Sequence, residues 1–584
     1  MPPRLELDIP HARPSVSAAS SFTEKSAISS PSSTIGPTPA SSPSPEPRST
    51  LADPPVGGRQ LSTLRLLVIH IGAALTLFLA TTDATIVSTS LPTISSNLQA
   101  SSSEYTWVGV AYLLTQTAFQ PLYGKLSDLV GRKSVLFSSI CIFAIGSALC
   151  GAAQSIRWLI ASRALAGIGG GGIVSAVWVI TSEIVEVRQR AVWSQALSVT
   201  WSCSAVAGPL LGGLFSGQDG SLTGWRWGFY INLPICAVAI SILLVSLQGV
   251  ELRRSTNASW SLFRHKFDFV GLFLFMTATS SIIIGFSFAT DIGWTAPSTL
   301  ILIIIGISVL IAGGFYENLT SRDCLFPPTT FKSLTPSVVL IISFLHNFAF
   351  NAGTFYLALY YQAAEGSTPL ESGLKVLPYS LGSSLASMPV AWFIGYRQRR
   401  THDTSAQNWT ISMGLFISTI GFGLLHLLDE KAKVVLQIVF PLIAGIGIGM
   451  LFHAPYQVFT RSLKPQDLAA GTSAFFLVRF TGATIGLAVA GTIFYAKAQL
   501  PDLTFHGSSP SIDFSRIRHL PPDREEEVLQ VISTSIHMIW TVCTPCLGVS
   551  FLLSFLLRKL PSSDTTDAKN TPTTTTSSTD DEKL

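Results

Sequence analysis

Residues 66–91 read LLVIHIGAALTLFLATTDATIVSTSL, a run in which Asp83 is the single charged side chain. A helix rises about 1.5 Å per residue and needs about 20 residues to cross the hydrocarbon of a bilayer, so this run is long enough to cross. In hydrocarbon every backbone N–H and C=O must find a partner within the protein. An unbroken apolar run meets that demand as a helix, not as the ten-residue alternation of a barrel strand. Thirteen more runs follow, near 105–125, 134–152, 158–180, 192–215, 227–247, 268–290, 299–319, 334–361, 372–396, 409–428, 432–458, 469–496 and 530–557, each about 19 to 28 residues long. The sequence predicts an all-α polytopic membrane bundle of fourteen spans.

Composition agrees. Of 584 residues, 48% are apolar and 12% carry Asp, Glu, Lys or Arg, where an ordinary soluble protein has about 25% charged residues. A soluble enzyme is excluded, and the mean hydropathy of +0.46 holds although both ends of the chain are polar. The net charge of +4 arises from 37 basic and 33 acidic side chains, too balanced and dispersed for a nucleic-acid surface. Residues 1–60, rich in Ser and Pro (Pro31-Ser32-Ser33, Pro43-Ser44-Pro45), and residues 561–584 bury too little apolar area to offset the entropy of ordering and are expected to be disordered tails. The first tail lacks a basic start followed at once by an apolar stretch, so the first span is expected to act as the targeting element. Cys543 and Cys546 form a CxxC inside an apolar run with no βαβ pattern around it, and Gly167 to Gly172 satisfies GxGxxG inside a span. Neither match has the context its chemistry needs, and no phosphate-binding GxxxxGK[ST] loop is present.

Charge placement orients the bundle. The loops after even-numbered spans hold sixteen Lys and Arg residues, among them Arg132, Lys133, Arg253, Arg254, Arg399 and Arg400, while those after odd-numbered spans, the long last loop aside, hold five: Arg157, Arg226, Lys375, Lys431 and Lys433. By the positive-inside rule both termini are cytoplasmic. The sequons at Asn257, Asn318 and Asn408 then fall on or beside cytoplasmic loops and are expected to stay unmodified.

After the second run comes Gly124-Lys125-Leu126-Ser127-Asp128-Leu129-Val130-Gly131-Arg132-Lys133. Arg163 is followed by Gly167 and Gly169 in the fourth run, and the fifth holds Gly208-Pro209-Leu210-Leu211-Gly212-Gly213. The first run carries Asp83-Ala84-Thr85-Ile86-Val87 and Leu91-Pro92. Later come Trp225-Arg226-Trp227-Gly228-Phe229-Tyr230-Ile231-Asn232-Leu233-Pro234, Tyr361-Gln362 with Gly366 and Ser372-Gly373, and Arg479 with Gly482, Gly486 and Gly491. In this order, over about residues 66–557, the motifs resemble those of the major facilitator superfamily, in particular its fourteen-span drug:proton antiporters of the fungal multidrug and toxin efflux type. Ser204 and Glu183 depart from the pattern, standing where the family more often has Gly and Asp. The resemblance implies two six-helix halves, 66–247 and 334–557, with two inserted helices at 268–319. They would rock around a central cavity that opens alternately to each side.

Ionisable groups within spans are functional candidates by default. Asp83 and Arg163 lie at compatible depths: an alternating distance between them would let Asp83 bind and release a proton, while a constant one would make a static strut. Gly124, Asp128, Gly131, Arg132 and Lys133 form the candidate gating loop, with positive-inside anchoring as the other reading of the two bases. Gly208, Pro209, Gly212 and Gly213 form the antiporter-type motif, where small residues let helix backbones approach and slide, or simply pack. His346, Asn347, Tyr361, Gln362 and Arg479 are the candidates for polar lining of a cavity otherwise walled by residues such as Phe348 and Phe355. Acids other than Asp83 are scarce within the spans, which favours uncharged or anionic amphiphiles as cargo.

No catalytic constellation, metal site or cofactor is indicated. The expected protein is a proton-coupled exporter of toxic or secondary-metabolite molecules, a monomer whose partners are a small-molecule substrate, protons and the lipid bilayer, without nucleic acid. It is placed in the plasma membrane over the vacuolar one. The alternatives are a vacuolar carrier of basic amino acids and a transporter-like receptor.

Overall fold

The computed structural model describes residues 62–185, 190–216, 224–250, 252, 261, 264–265, 267–320, 322, 333–401, 403–429, 432–463, 468–498 and 521–560. Both polar tails and the loop with Arg253, Arg254 and the Asn257 sequon lie outside the described residues. Within them the chain forms α1 (Thr63–Leu98), α2 (Ser102–Val130), α3 (Arg132–Gly151), α4 (Ile156–Ile184), α5 (Arg190–Phe215), α6 (Trp227–Tyr230) and α7 (Asn232–Ser246). Then come α8 (Phe269–Ile292), α9 (Pro297–Leu319), α10 (Leu334–Leu359), α11 (Pro369–Thr401), α12 (Ser405–Leu425), α13 (Val434–Met450), α14 (Ala454–Arg461), α15 (Leu468–Lys497) and α16 (Pro522–Ser554).

Local chemistry explains the helix ends. Ser101 and Glu104 form a reciprocal capping box that opens α2, Ser101 N–H donating to Glu104 Oε2 at 3.0 Å. Between α2 and α3 the chain turns on Gly131 at φ +104°, where an added Cβ would meet nothing, so glycine serves the backbone conformation there. Several helices outrun or split their apolar runs. Helix α1 extends beyond 66–91 at both ends, because the helical hydrogen-bond ladder continues through the polar Ser95-Ser96-Asn97. The run at 432–458 divides at the turn Leu451–His453 before Pro455, which lacks the N–H to continue the ladder. The run at 334–361 closes with a wider π-helical turn, Tyr360–Ala364.

Among the described residues eleven helical stretches, with α6–α7 and α13–α14 each taken as one, are apolar and long enough to cross a membrane. Helices α2 and α11 do not join them, because their charge-free stretches are diluted by uncharged polar residues such as Gln116 and Gln120 in α2 and Ser380, Ser383 and Ser387 in α11; of α5, the described stretch Val199–Phe215 is a shorter apolar helix. Length and composition therefore do not by themselves establish the count of fourteen.

Call the end of the bundle where α1 starts the lower face and the end where it finishes the upper face. At the lower face Arg65 Nε donates to Ser246 O at 3.0 Å and Lys133 Nζ to Leu247 O at 2.7 Å, gathering the starts of α1 and α3 with the end of α7. At the upper face Arg226 Nη2 donates to Ala153 O at 2.9 Å, joining the α3–α4 turn to α6. Helices α1–α7, the first group, and α10–α16, the second, belong to one compact unit in which the α2–α15 and α5–α11 crossings join them closely. Helices α8 and α9 pair with each other, and α8 reaches α2 and α15, where Thr492 Oγ1 donates to Phe286 O at 2.8 Å. The outer side of α9 exposes Ile301, Ile304 and Phe315 by 53%, 60% and 68%, the face such a helix turns to lipid.

The groups share a packing device. On α5, a Cβ at Gly208 or Gly212 would overlap Thr85, Ile86 and Thr89 of α1; on α13, a Cβ at Gly445 or Gly449 would overlap the carbonyls of Tyr379 and Ser383 on α11. These backbones touch because nothing stands between them.

Candidate functional site

Helices α1 and α4 bring Asp83 and Arg163 together at the centre of the first group, both side chains fully buried. Arg163 Nη1 bonds the Asp83 carboxylate, Nη2 donates to the Asp83 carbonyl at 3.3 Å, and Nε donates to Val108 O at 3.2 Å. The guanidinium lies 4.4 Å from the centre of the Tyr112 ring and 5.7 Å from that of Phe229. Asn232 of α7 donates to the other Asp83 oxygen at 3.0 Å and also to Ser147 Oγ at 3.1 Å. Carboxylate and guanidinium are thus held by charge-assisted bonds from several helices, and removing one partner of such a pair leaves a stranded buried charge, at a cost of about 3–5 kcal/mol.

At the lower face Arg132, 4% exposed, donates from Nε to Glu183 Oε1 at 3.0 Å and bonds Ser127 Oγ, tying the ends of α2, α3 and α4. Gly124 is buried in α2 just above. Asp128 belongs to α2, but its side chain lies outside what is described. Glu183, one of the two departures noted in the sequence, is thus the acid that holds Arg132.

At the upper face the glycine motif of α5 meets both groups. Pro209 O accepts from Thr89 Oγ1 at 2.7 Å within the first group, while Gly213 sits against Pro369 O of α11 and a Cβ on Gly373 would lie 2.8 Å from Pro209 O. Gln362 Nε2 donates across to Thr89 O at 2.9 Å, and Tyr361 OH donates to Gln437 O at 3.0 Å. Beside them Glu365 pairs with Lys375 at 2.7 Å and also takes bonds from Gln437 and, at 3.4 Å, Tyr360 OH. Burial raises the Glu365 carboxyl above its ordinary pKa, and the Lys375 ammonium offsets part of that rise.

A second buried arginine stands in the other group. Arg479 of α15, 4% exposed, donates from Nε to Asn347 Oδ1 at 3.1 Å and from Nη1 to Phe452 O at 3.4 Å. Its guanidinium lies 4.3 Å from the centre of the Trp201 ring, contributed by α5 of the first group, and 5.9 Å from that of Phe452. Asn347 donates in turn to Ser343 O at 2.8 Å and lies 3.2 Å from His346 Nδ1. No carboxylate pairs with Arg479 among the described residues, and its Nη2 has no hydrogen-bond partner. The aromatic wall continues from Trp201 to Phe476 and Phe480, stacked at 6.2 Å, and through Phe476 to Trp178 and Tyr456.

The five residues expected to line one cavity thus occupy two places. His346, Asn347 and Arg479 meet in mid-bundle, while Tyr361 and Gln362 lie about 24 Å further along the same helix direction, at the upper contact. The sequence reading gave no role to Trp201, Phe452, Asn232 or Glu365. A signal existed for the first: tryptophan in a membrane helix favours the boundary, and Trp201 stands eleven residues into α5.

Comparison with known proteins adds the following. Residues 73–326 match the Major Facilitator Superfamily. An uncharacterized MFS-type transporter of Schizosaccharomyces pombe is 34% identical over 505 residues, 85% of this chain and 82% of that protein. The efflux pump FUS6 of Gibberella moniliformis is 29% identical over 535 residues, 89% of this chain and 92% of the pump. Among solved structures, a bacterial homologue of the human lysosomal transporter Spinster, inward-facing and unoccupied, superposes with a TM-score of 0.55 at 15% identity, covering 85% of this chain and 98% of that one.

Proposed function

This chain belongs to the major facilitator superfamily, and from that premise we propose that it exports small amphipathic toxic or secondary-metabolite molecules in exchange for protons. Relatives named efflux pumps support export. The observation that supports the proton step is the dry Asp83–Arg163–Asn232 cluster, which places the one buried carboxylate of α1 against partners from α4 and α7, contacts that a shift of these helices would break. In this reading α1–α7 and α10–α16 are the two six-helix halves, with α8 and α9 inserted, and all fourteen runs cross the bilayer. Both termini are cytoplasmic, the membrane is the plasma membrane, and one chain suffices.

With the upper face closed by Gln362 on Thr89 and by the α5–α11 crossing, Asp83 is ionised and paired. Rocking of the halves parts these contacts, shifts α1 against α4, and exposes the carboxylate to protons from outside. Return to the first state re-forms the pair and expels the proton below. The Arg132–Glu183–Ser127 tie at the lower face joins α2, α3 and α4 within one half and is formed in this same state, so in this reading it braces the gating loop, with Asp128 beside it in sequence, and does not close the lower face.

The test is reconstitution in liposomes with an imposed pH gradient and a panel of neutral Nile red, anionic fluorescein and cationic rhodamine 6G. Wild type should concentrate at least one dye. Asp83→Asn should retain downhill exchange of that dye and lose concentrative transport. Undiminished uphill transport by Asp83→Asn would remove the proton role, and failure of wild type to move any dye would remove the export reading.

A further inference from the structure

Arg479 is the cation whose surroundings do not account for its charge. It is 4% exposed, sits eleven residues into α15, and has two of its three nitrogens bonded, to neutral oxygens. A guanidinium taken out of water without a carboxylate is strongly disfavoured, and neutral acceptors and ring faces return only part of the lost hydration. Its Nη2 is one of several buried polar atoms with no hydrogen-bond partner among the described residues, as are Trp178 Nε1 and Ser343 Oγ. Trp201 reaches it from the first group, while Asn347, Phe452, Phe476 and Phe480 belong to the second. The position is therefore the seam that opens and closes if the halves rock.

We infer that Arg479 is the recognition point for an organic anion: the transported molecule carries a carboxylate that binds the guanidinium through Nη2, and a flat apolar body that lies against Trp201, Phe476 and Phe480. This rests on the transport reading and narrows its cargo. A planar fork of N–H donors suits a carboxylate, and aromatic faces suit a flat hydrocarbon. The site also disfavours the cationic cargo of a basic amino acid carrier, because a fixed unpaired positive charge in low dielectric repels another. Asn347 acts as a positioning residue, holding Nε so that the rest of the guanidinium faces the seam.

The experiment measures binding of radiolabelled 1-naphthaleneacetate and 1-pyrenebutyrate, each against its uncharged amide, to the full-length protein in lipid nanodiscs. Wild type should bind at least one acid about tenfold more tightly than its amide, the scale of one charge-assisted contact. Arg479→Gln should bring acid and amide affinities together, and Arg479→Lys should keep part of the preference. Without ligand, Arg479→Gln should melt at or above the wild-type temperature, since it removes a buried charge that lacks a carboxylate. A wild type that treats acids and amides alike overturns the inference, as does an acid preference that survives Arg479→Gln or a melting temperature several degrees lower in that variant. Gradient-driven transport of the dye panel by the same purified protein in liposomes separates the two readings: if it persists while the acid preference is absent, the anion site fails and export stands, and if acid binding occurs with no transport, the reverse holds.

Discussion

Two buried arginines, one in each helical group, are built alike in all but one respect. Each donates from Nε to a neutral oxygen, Val108 O for Arg163 and Asn347 Oδ1 for Arg479, and each lies little more than 4 Å from the centre of an aromatic ring. Arg163 has Asp83; Arg479 has no acid among the described residues. The first arginine is neutralised from within and holds α1, α4 and α7 together. The second keeps its charge for something else. The difference teaches that a buried cation in a bundle is structural or receptive according to whether its counter-ion is part of the chain.

The largest test of that contrast strands the first arginine. Asp83→Leu should destabilise the protein by about 3–5 kcal/mol, read from chemical unfolding in detergent, while Asp83→Leu with Arg163→Met should recover most of the loss because both charges are gone. Equal destabilisation in the single and double variants would mean that the pair is not what holds these helices.

A smaller change makes the second arginine resemble the first. Asn347→Asp keeps the shape that accepts from Arg479 Nε at 3.1 Å and supplies the missing negative charge. The variant should lose its preference for acids over amides, and the gain of about 1.5–3 kcal/mol expected of a hydrogen bond to a charged group should be offset in part by loss of the amide donation to Ser343 O. If the acid preference survives with an internal carboxylate in place, Arg479 is not what reads the anion.

The smallest effect concerns the upper contact between the groups. A carboxyl whose pKa is raised in the closed face holds its proton more readily there than in water. Its contribution is fully present below the ordinary carboxyl pKa and is lost as pH rises through the raised value. In wild type relative to Glu365→Gln, the melting temperature should therefore gain as pH falls from about 7 to about 5. A difference between the two that does not change with pH would show that Glu365 stays ionised throughout.

Much of this was legible in the chain. The apolar runs marked the helices, since a bilayer leaves the backbone no alternative, and intramembrane charge singled out Asp83, Arg163 and Arg479 because each is expensive enough to need a reason. Matching depth even suggested that Asp83 and Arg163 could meet. What the runs did not reveal were the breaks at Ile231 and at Leu451–His453 and the π-helical turn after Leu359.

Sequence by itself determined that this is a bundle of apolar helices with few internal charges, because that property depends on composition along one segment at a time. Only the tertiary structure decided which charges are neutralised: Asn232 and Ser147 reach the first site from other helices, Trp201 crosses from one group to the other, and Tyr361 and Gln362 lie far from Asn347 on the same run. Coulomb energy and hydrogen bonding fall off within a few ångströms in space, and residues far apart in sequence become neighbours only when helices pack.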